Sequence, residues 1–190
     1  QPLESWMCSD EGAEVAHTIE LDCSELEPML ARPGDPGHGV AVSELVHEVP
    51  VDIAYGGSCT GGKREDLQRA HEVLSWADQH GLRVAEGTRF VLQFGSQDVR
   101  EYCVEAGMFD VFLRVGAELI EPGCGACVNA GPGVSDRPDQ VTVSAINRNF
   151  PGRSGPGQVW LASPSTVAAS AIAGRIVTFE QLREGSGQHA

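Results

Sequence analysis

The rhythm of apolar positions changes near residue 50. Before it the chain is acidic, Pro28, Pro33, Pro36 and Pro50 interrupt any long helix, and only short runs such as Val15–Leu21 have the alternation of a strand. Residues 1–50 therefore read as an extended arm packed on a body. From Val51 onward, short apolar runs alternate with stretches of helical periodicity, the order that βα units and a parallel sheet require.

The pattern predicts a buried strand over Val51–Tyr55, a turn over Gly56–Gly62 and a helix over Arg64–His80. That helix carries Leu67, Ala70, Val73, Leu74 and Ala77 on one face and is closed by Gly81. A strand at Arg89–Phe94 follows, then a helix capped by Ser96 and running to about Gly107, a helical piece at Phe109–Val115 and a strand at Ala117–Glu121. Two more strands, Gln140–Ile146 and Gln158–Ala162, flank a loop rich in glycine and arginine. Ser163-Pro164 then opens a helix that Gly174 ends. The expected fold is α/β: a three-layer α/β/α body over residues 51–184 with a mostly parallel sheet, preceded by the arm and followed by a frayed tail at 185–190.

In an open α/β sheet the loops at the carboxyl ends of parallel strands converge on one crevice. Cys59 lies in the turn after the first predicted strand, Cys124 and Cys127 follow the strand at Ala117–Glu121, and the arginine loop 148–157 follows the strand at Gln140–Ile146. Three loops distant in sequence are thus expected to build one site.

With 190 residues, the chain has enough material for one sizeable domain with a true core. Apolar content of 41% with no apolar run near the ~20 residues of a membrane span marks a soluble protein with no membrane partner. The net charge of −14, without basic clusters, argues against nucleic acid, whose binding is driven by Lys and Arg neutralising phosphates. The start, Gln1-Pro-Leu-Glu, has no Met and none of the regions of a secretory signal, so the six cysteines are expected reduced, in the cytoplasm, and the chain reads as a piece of something longer.

Cys59 in Tyr55-Gly-Gly-Ser-Cys-Thr-Gly-Gly-Lys63 and the pair in Pro122-Gly-Cys-Gly-Ala-Cys-Val-Asn129 supply three thiolates and leave one metal position open. Thiolate is a soft ligand suited to iron–sulfur clusters, zinc or copper(I). The Cys-x-x-Cys spacing also serves zinc ribbons and redox pairs, but no second pair completes a zinc site, and Val128-Asn-Ala-Gly-Pro-Gly133 does not promptly start the helix that activates a redox thiol. Ser58 and Thr60 stand in the Cys59 turn, whose backbone N–H groups favour a thiolate. Cys103 reads as core; Cys8 and Cys23, and the six histidines, show no ligand spacing. Arg148 and Arg153, on the rigid loop Asn147-Arg-Asn-Phe-Pro-Gly-Arg153, suit fork-like binding of carboxylates, against the plain alternative of surface ion pairs.

Taken together, Gly57-Ser-Cys-Thr60 with Arg64-Glu-Asp-Leu67, Gly123-Cys-Gly-Ala-Cys127, Asn147-Arg-Asn-Phe-Pro-Gly-Arg153 and Ala162-Ser-Pro-Ser-Thr-Val-Ala-Ala-Ser-Ala-Ile-Ala-Gly174 resemble the aconitase superfamily and match the order and spacing of its cluster-bearing third domain. Ser9-Asp-Glu-Gly-Ala13 and Leu26-Glu-Pro-Met29 resemble the approach to that domain. The Pro-Gly-Arg loop and the Leu-Ala-Ser-Pro segment look closer to the 3-isopropylmalate dehydratase large-subunit branch, with its homoaconitase and dimethylmalate dehydratase relatives, than to citrate aconitases.

The resemblance implies a lyase, specifically a hydro-lyase of the kind that serves leucine biosynthesis, interconverting hydroxy di- or tricarboxylic acids. It implies a 4Fe–4S cluster held by Cys59, Cys124 and Cys127, with one iron free of cysteine, Ser58 and Thr60 beside it, Asn147 near it, and Arg148 and Arg153 gripping substrate carboxylates. It also implies partners: the remaining large-subunit domains and a small subunit or swivelling domain, which bring acid–base groups absent here. Gly61 departs from the family's usual Asn. The rival reading is a zinc or iron–sulfur module that binds or senses without catalysis.

Overall fold

The computed structural model describes residues 4–186. Two three-residue strands, β1 (Met29–Ala31) and β2 (Gly39–Ala41), pair antiparallel, and β1 also lies antiparallel against a later strand. Every side chain from Glu4 to Met29 is exposed, and Val15–Leu21 forms no strand. Its alternation fits a half-buried strand, but it pairs with no other strand among the described residues, and an unpaired segment gains no ladder hydrogen bonds.

The body begins with β3 (Ile53–Gly57), buried at all five residues. A single turn, α1 (Ser58–Gly61), leads into α2 (Arg64–Gln79), where the Asp66 carboxylate accepts from the Lys63 N–H at 3.0 Å. Its buried residues are the expected five, and large side chains such as Leu67, Val73 and Leu74 each stabilise by about 1.5–3 kcal/mol when fully buried. Next come β4 (Arg89–Gln93), α3 (Gln97–Glu105), α4 (Met108–Val115) and β5 (Glu118–Ile120). β6 (Val141–Ser144) and β7 (Gln158–Ala162) precede α5 (Pro164–Ala173), which Ser163 caps by accepting from the Thr166 N–H at 3.2 Å and Gly174 ends in the left-handed region. A final helix, α6 (Phe179–Ser186), was not expected; it takes in 185 and 186 of the tail read as frayed, while residues 187–190 lie outside the described residues.

The seven strands are ordered β2-β1-β7-β6-β3-β4-β5, parallel from β7 to β5. This mixed, mostly parallel sheet with its helices is the α/β/α class expected from the pattern. Because successive side chains of a strand point to opposite faces, each central strand serves two cores. Ala54, Phe90, Leu92, Val143 and Trp160 meet residues of α2, α3, α4 and α5 on one side, among them Cys103, fully buried on α3 as the sequence suggested. Tyr55, Val91, Val159 and Ile146 meet Ala126, Cys127 and Val134 on the other.

Strand order fixes where a site can form. From β3 the chain moves outward through β4 to β5, whereas from β6 it moves through β7 in the opposite direction, and β3 and β6 are neighbours. The segments leaving their carboxyl ends part from one another there, opening a crevice at a topological switch point.

Candidate functional site

The turn after β3 is held in an uncommon conformation. Ser58 is 1% exposed with φ +93°, a left-handed value that costs a non-glycine residue roughly 1–3 kcal/mol. Its hydroxyl accepts from the Thr60 and Gly61 N–H groups, each at 3.3 Å, and lies 3.2 Å from the Thr60 hydroxyl. These bonds compensate the strain and project Cys59 and Thr60 into solvent. Gly61 is buried at the base of the turn, where an added Cβ would stand 2.2 Å from the Ala145 carbonyl oxygen. Its lack of a side chain lets the β3 turn rest directly on the backbone that follows β6.

Cys124 and Cys127 come from the far edge of the sheet, yet their loop returns beneath the central strands. The Gln93 amide donates to the carbonyls of Glu121 (3.3 Å) and Gly123 (3.1 Å), and the buried Tyr55 hydroxyl donates to Gln93 Oε1 at 2.6 Å. Beyond the pair, Ser154 Oγ donates to the Ala126 carbonyl at 2.8 Å, and the Ser135 N–H to the Ser154 carbonyl at 3.1 Å. The loop is thus tied to β3, β4 and the arginine loop at once. Gly125–Val128 form a single 3-10 turn directly after Cys124. Asn129 stops it at φ +58°, so it never grows into a helix with a useful dipole.

The loop after β6 carries the expected arginines on a fixed base. Asn149, 2% exposed, donates from its side-chain amide to the carbonyls of Arg32 (2.7 Å) and Val159 (3.0 Å), and its backbone carbonyl accepts from the Gly34 N–H at 3.2 Å. Arg153 is half-buried, and its Nε is buried with no hydrogen-bond partner among the described residues. Asn147 and Arg148 are exposed on the same loop.

Cys127 shows which of these groups share a field. Burial pushes its thiol up, the charges of Cys59 and Cys124 push the same way, and Arg153 and a hydrogen bond from Ser58 pull it down. Cys59, Cys124, Ser58 and Arg153 therefore lie within electrostatic reach of Cys127, while Asn147, Arg148 and Thr60 are exposed. All six cysteines are free. Among the described residues, no group of three or more His, Cys, Asp and Glu is gathered closely enough to hold a metal ion as it stands. The donor chemistry nevertheless fits a thiophilic metal group: Cys59 on one turn and Cys124 and Cys127 on another are soft sulfurs, and a cation among them relieves the repulsion that Cys59 and Cys124 exert on the Cys127 thiolate.

Sequence reasoning passed over Tyr55 and Gln93. A signal existed: each is a polar residue directly after apolar strand residues and within two residues of the strand's end, and buried polar groups need partners. Burial pushes the Tyr55 phenol up to about 12, so it stays a donor at any physiological pH.

At the strand switch point of this α/β fold, free thiols from two turns stand near an arginine whose Nε has no hydrogen-bond partner among the described residues. Residues 44–174 match the model of the Aconitase family (aconitate hydratase), and the chain belongs to that family. It is 39% identical over 171 residues to a 3-isopropylmalate dehydratase large subunit of Campylobacter hominis, covering 88% of this chain and 39% of the relative. It is 38% identical over 184 residues to a 3-isopropylmalate dehydratase large subunit 1 of Deinococcus radiodurans, covering 96% and 41%. A protein named "Probable methanogen homoaconitase large subunit", of Methanothermobacter thermautotrophicus, is 38% identical over 181 residues, covering 94% and 40%. The chain spans about two fifths of the length of these curated relatives. Among the described residues no helix is long and apolar enough to cross a membrane.

Proposed function

We propose that this chain is the cluster-bearing part of a hydro-lyase that reversibly removes and re-adds water on a hydroxy di- or tricarboxylic acid, of the 3-isopropylmalate dehydratase kind. The observation that carries this is that three free thiols, Cys59 on one turn and Cys124 and Cys127 on another, share an electrostatic field with the Arg153 guanidinium at the sheet's switch point. Cys59, Cys124 and Cys127 hold a 4Fe–4S cluster and leave one iron without a cysteine. Bound there, the cluster supplies a Lewis-acidic iron that polarises a substrate hydroxyl.

The chain's own residues place that substrate. Arg153, with a buried Nε lacking a partner, takes one carboxylate, because a desolvated donor left unpaired is costly until an acceptor arrives. Arg148, exposed on the same loop, binds the second carboxylate and Asn147 borders the cluster, while Ser58 donates toward the Cys127 sulfur and Thr60 lines the turn. The groups that move the substrate's protons come from the rest of the large subunit and from a small subunit or swivelling domain. Six free cysteines and a cluster open to solvent suit the reducing cytoplasm.

Anaerobic reconstitution with iron and sulfide, followed by metal analysis and paramagnetic resonance, tests this reading. The expected result is a four-iron cluster that loses one iron on mild oxidation and gives a three-iron signal. Cys124→Ser is expected to abolish stable loading. Tight uptake of one zinc with no sulfide would overturn the assignment.

A further inference from the structure

Tyr55 and Gln93 lie outside every residue assigned so far, yet both touch the cysteine loop. Both are almost wholly buried, at 0% and 2% exposure, on neighbouring strands β3 and β4. The phenol donates to Gln93 Oε1 at 2.6 Å, and the Gln93 amide spends its donors on the carbonyls of Glu121 and Gly123, immediately before Cys124. On the other side the Ala126 backbone N–H faces the phenolic oxygen, between the two cysteines. The loop closes tightly around the ring: a Cβ on Gly133 would stand 2.2 Å from Tyr55 Cδ2, and one on Gly125 2.7 Å from the hydroxyl.

We propose that Tyr55 and Gln93 form a positioning bracket that sets the Cys124-x-x-Cys127 loop against the Cys59 turn. Tyr55 suits the task because it lies on the strand whose end carries Cys59, four residues on; one rigid side chain therefore references both halves of the thiol set to the same piece of backbone. Gln93 extends the reach to the carbonyls that the phenol does not touch. Neither side chain contacts substrate; both act through the loop, as outer-shell partners orient metal ligands. The inference rests on the proposed cluster-binding role of these cysteines, but the placement of the loop can be read without any cluster.

The test compares the wild-type chain with Tyr55→Phe, Gln93→Leu and the double variant. In the metal-free chain, maleimide labelling followed by mass spectrometry reads the modification rate of Cys127. The fully buried Cys103 reports folding, since it stays unlabelled only while the core is intact. The bracket predicts faster labelling of Cys127 in every variant with Cys103 still protected, and iron–sulfur retention after anaerobic reconstitution weakened about 10- to 100-fold. The double variant separates positioning from mere stability. Replacing both partners of the Tyr55–Gln93 bond by apolar groups removes the acceptor that Tyr55→Phe alone leaves orphaned, so the double variant loses less melting temperature than the two single variants together, whereas the carbonyls of Glu121 and Gly123 stay without their donor and Cys127 stays fast. Folded single variants with wild-type labelling and retention would overturn the bracket, as would a double variant in which slow labelling returns along with stability. If the wild-type chain takes up no cluster at all, the functional reading fails, and the labelling rates still decide the bracket.

Discussion

At position 61 a Cβ would stand 2.2 Å from the Ala145 carbonyl oxygen, and the obstacle is backbone that a rotamer change cannot move aside. Gly61→Ala, and equally Gly61→Asn, is expected to cost about 1–3 kcal/mol in denaturant unfolding, because the β3 turn and the loop after β6 must separate. An unchanged midpoint would mean that the two segments part freely. His71 makes a different kind of prediction. It is half-buried on α2, with Nε2 3.0 Å from Ser75 Oγ and its ring edge-on to Phe112, and burial holds its pKa below the ordinary 6.5. A lowered folded pKa means that the unfolded chain takes up the proton first. Stability is therefore fully present above pH 6.5 and falls as the pH drops from there toward the folded value, with a slope below the one-proton limit of about 1.4 kcal/mol per pH unit. In His71→Gln, urea unfolding at stepped pH should lose that part of the slope; an identical profile would remove His71 from the balance.

Among the elements, the joint between the β1–β2 turn and the arginine loop depends on one side chain. Asn149→Ala leaves the carbonyls of Arg32 and Val159 without their donor, and about 1–3 kcal/mol of stability should go with it in chemical denaturation. Loss of less than a few tenths would mean that water replaces the amide. That joint was not legible in the sequence, because β1 and β2 are only three residues each, beside Pro28, Pro33 and Pro36, and a strand that short acquires its identity from the β7 edge it meets. By contrast α2 and α5 could be read nearly to the residue: their apolar spacing, the Ser163-Pro164 start and the Gly174 stop are local signals that tertiary packing reinforced. The alternation at Val15–Leu21 misled for the opposite reason, being a local pattern with no partner. The cysteine turns and the arginine loop were visible as motifs, but the return of the β5 loop under the sheet was not. It depends on Tyr55 and Gln93, which read as ordinary strand residues until β3 and β4 are side by side.

At the level of the whole molecule, the proposed activity needs more chain than is present, so the sharpest functional prediction concerns the complete enzyme. Arg153→Lys there should keep its cluster signal while losing about 1.5–3 kcal/mol of substrate binding, seen as a raised KM, because an ammonium has no counterpart to the buried Nε. An unchanged KM with unchanged turnover would take the carboxylate role away from this arginine. The order of the sheet carries one more consequence. Its two outermost strands, β2 and β5, are three residues long, and β5 is further occupied by the ion pair between Glu118 and Arg89. Exposed strand rims are where a foreign chain can add itself and seed aggregates, and rims this short offer little backbone to copy. The longer strands, of four or five residues, are all interior, which leaves the folded chain poorly suited to recruit its own unfolded copies.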